Sequence, residues 1–182
     1  MVKISTPHPD ITQYDGVFTE PEQHMIASWC ASMPFKIDSL GMSDDEMNIN
    51  SKINPSQWYS SSNRLKDCFE KTLAFRKLSD HTLMAASVDV YTIADCQDIR
   101  CFPSTKLIIY FTNIKWMSQY GGDIIFYDQH AKSVICIIPC VPNRMIVFEG
   151  DLIHRISTPN KHNMLTTFTA ILKKKQEESK TS

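Results

Sequence analysis

From Asp80 onward the chain is cut into short runs rich in β-branched and aromatic residues, separated by turn residues, and this pattern restricts the fold more than any other feature. The runs are 83–91, 106–112, 123–127, 133–139, 144–148, 152–156 and 164–172. Each is too short for a helix of average length, and together they predict an antiparallel sandwich or barrel.

The segment before Asp80 reads differently. Thr19-Glu20-Pro21-Glu22 combines a cap residue, an early proline and a glutamate three positions on, and Met25, Ile26, Trp29 and Met33 recur at helical spacing. These features predict a helix over about 20–33. Residues 39–62 are mostly polar and read as a long loop that ends in a second helix over about 63–78, carried by Leu65, Phe69, Leu73 and Leu78. The expected organisation is one domain over 1–173, mainly β within an α+β class, with the helices supporting the barrel. A charged tail without apolar anchors is expected over 174–182.

Charge then limits the partners. Nineteen Lys and Arg against twenty Asp and Glu leave a net charge of −1, with no basic surplus for nucleic acid or an anionic membrane. No stretch approaches the roughly 20 apolar residues of a spanning helix, and residues 1–7 lack the apolar run of a signal peptide, so a cytoplasmic location is expected. The six cysteines are too dilute for a disulfide scaffold; Cys30, Cys68 and Cys136 lie in apolar periodic segments and read as small hydrophobes.

Three motifs in the second half occur in a telling order: Asn113-Ile114-Lys115-Trp116, then Tyr120-Gly121-Gly122-Asp123-Ile124, then a run from Pro142-Asn143-Arg144 through Phe148 to His154. This succession resembles the iron(II)/2-oxoglutarate-dependent dioxygenases, specifically their prolyl-hydroxylase-like branch. The resemblance covers about 83–172. It implies a double-stranded β-helix, a jelly-roll or cupin-like barrel, with iron held by two histidines and a carboxylate and a cation pairing with the far carboxylate of 2-oxoglutarate.

Carried over residue by residue, the resemblance makes His154 the distal metal histidine. Counting back from Asn113, Cys96-Gln97-Asp98 stands where the family has His-x-Asp. A thiolate binds iron, so Cys96, Asp98 and His154 form one candidate metal set. The family's clamp arginine is missing: Asn163 and Met164 occupy its place. A second branch takes its cation from an earlier strand, which makes Lys106 the candidate for 2-oxoglutarate, with Tyr110 as a hydroxyl donor; Arg155, Lys161 and His162 are other cations near the expected mouth.

Three functions remain open at this point. One is a family member with an altered site, with His154 and Asp98 as its catalytic groups, acting on a small molecule or peptide by atypical or non-iron chemistry. Another is a working Fe(II)/2-oxoglutarate hydroxylase built on Cys96, Asp98 and His154. The third is a non-catalytic binding or interaction module, which a barrel interior filled by Phe111, Phe126, Phe148 and Phe168 would favour.

Overall fold

The computed structural model describes residues 1–33, 36–39, 47–53, 64–92, 100–160 and 163–175. In chain order its elements are β1 (Lys3–His8), β2 (Ile11–Asp15), α1 (Glu20–Ala31), β3 (Lys36–Ser39), β4 (Met47–Ile53), α2 (Arg64–Glu70) and α3 (Leu73–Arg76). There follow β5 (His81–Tyr91), β6 (Lys106–Phe111), a single 3-10 turn at Ser118–Tyr120, β7 (Ile124–Tyr127), β8 (Val134–Ile138), β9 (Arg144–Glu149), β10 (Ile153–Ile156) and β11 (Leu165–Lys174). No helix among the described residues is long and apolar enough to cross a membrane.

All the strand pairs are antiparallel. Eight strands form one sheet in the order β1-β2-β9-β6-β11-β5-β4-β3, and three form a second in the order β10-β7-β8. Side chains alternate across a strand, so each central strand of the large sheet serves two cores. Leu107, Ile109 and Phe111 of β6 face Phe126, Ile138 and Ile156 of the small sheet. Ile108 and Tyr110 of the same strand face Ile26, Phe69 and Phe75 of the helices.

The helices form for local reasons and dock for apolar ones. The Glu22 carboxylate accepts from both the backbone N–H and the hydroxyl of Thr19, closing the first turn of α1, and this holds its pKa below the usual glutamate value. The buried stripe of α1 is Ile26 and Cys30, with Met25 left exposed, so the packed face is turned slightly from the spacing anticipated. The anticipated helix over 63–78 is two short helices. The break has a cause: Thr72 donates its hydroxyl to Phe69 O and accepts from Phe75 N–H, ending α2 and capping α3.

Two further expectations are corrected. The stretch 39–62 was expected as loop, yet β4 occupies Met47–Ile53 and pairs with β5, while β3 ends at Ser39. Lys174 belongs to β11, opposite His81, and Lys175 bonds Asp80 O through its amide and Ser79 O through its ammonium, so the anchored chain extends past 173.

The residues behind the resemblance build the frame. Asn113 donates to Met164 O and accepts from Thr166 N–H, tying the end of β6 to the start of β11. Trp116 donates to Gly121 O. At Gly122, φ is 81° and a Cβ would lie 2.8 Å from a Leu165 methyl, so the turn admits only glycine. Arg144 forks onto Asp15 at 2.6 and 3.0 Å, fastening β9 to β2, and keeps the Asp15 pKa low. Asn143 closes the same corner through two bonds to the backbone of Phe18.

Candidate functional site

His154 sits on β10 opposite Phe126 of β7, and its backbone also exchanges two hydrogen bonds with Arg100 at 2.8 and 3.0 Å. Its ring is buried among Phe148, Phe126 and Phe102, with centroids 4.8, 6.0 and 6.3 Å away. Nδ1 lies 2.9 Å from Leu152 O. A carbonyl only accepts, so Nδ1 carries the proton and Nε2 keeps its lone pair. Burial pushes the pKa down to about 4, aided by the Arg100 charge and opposed by the Leu152 bond, so the ring is neutral at pH 7. This combination suits a proton acceptor or a single metal ligand.

The imidazole borders a cavity of about 60 Å³, which Ser87, Tyr91, Arg100, Phe102, Leu107, Ile109, Ile156, Thr169 and Ile171 also line. Asp89 lies on the inward face of β5 between two of these lining residues, Ser87 and Tyr91. Its Oδ2 accepts from the hydroxyls of Ser87 and Thr169, each at 3.0 Å. Burial raises the Asp89 pKa, against the pull of Arg100 and the two hydroxyls. On β11, Thr167 pairs in register with Asp89, and its buried hydroxyl has no partner among the described residues.

The other predicted residues distribute unevenly. Cys96 and Asp98 lie outside the described residues, as do Lys161 and His162. Lys106 and Tyr110, expected at the co-substrate, are on the wrong face. Strand alternation sends them outward with Ile108, while Leu107 and Ile109 turn to the cavity. Lys106 forms an ion pair with Glu149 at the end of the strand. Tyr110 is fully buried against Phe18 and Phe69, its hydroxyl 3.5 Å from Asn143 Oδ1. Arg155 stacks its guanidinium over Tyr127, 5.8 Å from the ring centroid. Asp89 and Arg100 were not anticipated. An acid inside an apolar run was the one available signal for Asp89.

A search of protein-family models finds no match, and a search of curated proteins finds none. The fold, however, has solved counterparts. A prolyl 4-hydroxylase from Pseudomonas putida superposes with a TM-score of 0.62 at 11% identity, over 91% of this chain and 93% of that one. The fold is that of the 2-oxoglutarate/Fe(II) oxygenases. A Trichoplax adhaerens prolyl hydroxylase bound to a hypoxia-inducible-factor peptide gives 0.63 at 14% identity, over 95% and 87% of the two chains. HygX from Streptomyces hygroscopicus, with nickel, 2-oxoglutarate and hygromycin B, gives 0.66 at 8% identity, over 91% and 83%.

The groups implied by this oxygenase fold can be tested against the residues present. His154 fits one iron ligand, since its Nε2 has no hydrogen-bond partner among the described residues. Among the described residues no three of His, Cys, Asp and Glu come together to hold a metal. For 2-oxoglutarate the residue in question is the cation that would pair with its far carboxylate. Arg100 is the only cation among the lining residues, and it already lies within electrostatic reach of the buried Asp89. A second carboxylate would stand beside a buried acid without a cation of its own.

Proposed function

We propose that this chain is an oxygenase-family member whose active site has been altered, with Cys96-x-Asp98 in place of His-x-Asp. It acts on a small molecule or a peptide by atypical or non-iron chemistry. The observation that carries this reading is His154: a neutral imidazole at the barrel wall, its Nδ1 held by Leu152 O, bordering a cavity whose lining offers Arg100 as its one cation. The peptide and the hygromycin B held by the two similar proteins above support the substrate classes.

In this site His154 takes up or returns a proton at Nε2, and Leu152 O fixes the tautomer that makes this possible. Phe102, Phe126 and Phe148 exclude water from the ring. Asp98 is proposed as the second catalytic group. Phe111, Phe126 and Phe148 do fill much of the interior, although Phe168 turns to the helices, so a binding module is the second reading.

Anaerobic titration with iron(II), with and without 2-oxoglutarate, tests the proposal. The expected outcome is no keto-acid charge-transfer band and no thermal stabilisation by 2-oxoglutarate. A band that disappears in His154→Ala and Asp98→Ala would replace it with the working hydroxylase of Cys96, Asp98 and His154.

A further inference from the structure

A second cavity opens where α3 runs into β5, on the helix side of the large sheet. Its volume of about 380 Å³ falls within the range of small-molecule sites, roughly 300–1,000 Å³. The floor is apolar. Phe75 and Leu78 come from α3 and the turn after it, and Leu83 and Leu172 from a register pair of β5 and β11. All four belong to the core shared with the helices, and each reaches the cavity with the edge of an otherwise buried side chain.

Two cations on the rim lack a counter-charge. Arg76 donates through Nε and Nη2 to Lys71 O at 2.9 and 2.6 Å, and Lys175 donates through Nζ to Ser79 O at 2.9 Å. Both partners are neutral carbonyls, so these bonds fix the side chains without cancelling their charge, and each cation keeps further N–H donors that no described residue accepts. Neither forms an ion pair among the described residues. The one acid of the lining, Glu70, is already 3.9 Å from the Lys66 ammonium, and His81 gives its Nδ1–H to Asp80 at 2.7 Å.

We propose that this cavity binds an amphiphilic carboxylate, its head group at Arg76 and Lys175 and its apolar body on the floor. Charge complementarity selects the head: a guanidinium fork matches a carboxylate, and a cationic amphiphile would meet two like charges. The floor selects the body, because an apolar chain removes those side-chain edges from water and a small hydrophilic anion does not. Leu83 and Leu172 turn to the helices, whereas Ile171 beside them turns to the cavity of His154, so the two sites lie on opposite faces of the sheet. The inference is therefore independent of the reaction at His154.

Calorimetric titration of the full chain with octanoate, octan-1-ol and acetate tests it. Octanoate is expected to bind, and the alcohol, which lacks the charge, and acetate, which lacks the body, are expected to bind about tenfold more weakly or not at all. Arg76→Gln and Lys175→Gln, both at exposed positions, should each weaken octanoate binding about threefold or more. Lys77→Gln removes a neighbouring cation that does not line the cavity and should leave binding unchanged. Silence of octanoate overturns the inference, and so does octan-1-ol binding as tightly as octanoate. Octanoate binding that neither rim variant weakens, or that Lys77→Gln weakens as much as they do, also overturns it.

Discussion

The two faces of the large sheet use the same strands for opposite purposes. Toward the helices, Phe69 meets Phe168, Phe18 and Tyr110 with ring centroids 4.3, 5.1 and 5.6 Å away, and the buried polar group nearby, Thr72, spends its hydroxyl on a helix cap. Toward the small sheet, one residue further along each strand, the interior holds a buried acid, a hydroxyl without a partner among the described residues and a neutral histidine. The first face is built to be stable. The second gives up part of that stability, the usual mark of a surface kept for binding or chemistry.

Substitutions that treat the faces alike would break this contrast, and the largest effect is expected on the helix side. Phe69→Ala removes a fully buried ring and should lower the unfolding free energy by about 3–5 kcal/mol in a denaturant titration. A comparable loss that also abolished ligand binding beside His154 would show that the faces are not separable.

On the cavity side the signature is pH dependence. In the unfolded chain His154 takes a proton near pH 6.5, whereas the fold withholds it until about 4. The unfolded state therefore binds more protons across that window, and stability rises with pH through it. The stabilisation from neutral His154 is whole above about 6.5 and is lost as pH falls toward 4. Wild type should thus lose roughly 3 kcal/mol more than His154→Leu over this range, read from unfolding curves at each pH. The raised pKa of Asp89 has the opposite sign: protonation on acidification relieves its burial, and Asp89→Asn should remove that gain.

Smaller changes sharpen the comparison. Thr167→Val replaces the orphaned hydroxyl with a methyl group of similar shape and should raise stability by about 1 kcal/mol, unlike most core substitutions. Thr72→Ala, on the helix side, should cost about 1 kcal/mol by uncapping α3. Opposite signs for two buried threonines, measured in the same assay, would be direct support for the division of labour.

Much of the frame was legible in the sequence because its signals are local. β5 to β11 fall within two residues of the expected runs at nearly every end, and the turn glycines and Asn113 act where they stand. The same fact explains why the resemblance says more about fold than chemistry: Asn113, Gly122, Asn143 and Arg144 are architectural. The strands at the N-terminus escaped notice because β1 is an exposed edge whose Pro7 and polar residues hide its pattern. The sequence does not fix which face Tyr110 takes, because a strand buried on both sides shows no alternation. Asp89 was missed for the same reason, since Val88, Val90 and Tyr91 around it are all buried.

The position of β2 has a consequence for biosynthesis. Ile11 pairs with Phe148 and Asp15 with Arg144, so β2 joins the sheet only after β9, far along the chain, has been made. Until then β2 has no neighbour in the sheet but β1. Closing such a distant pair places folding in the slow class of β-rich chains, about milliseconds to seconds, and leaves an open strand edge available for wrong pairings throughout that wait.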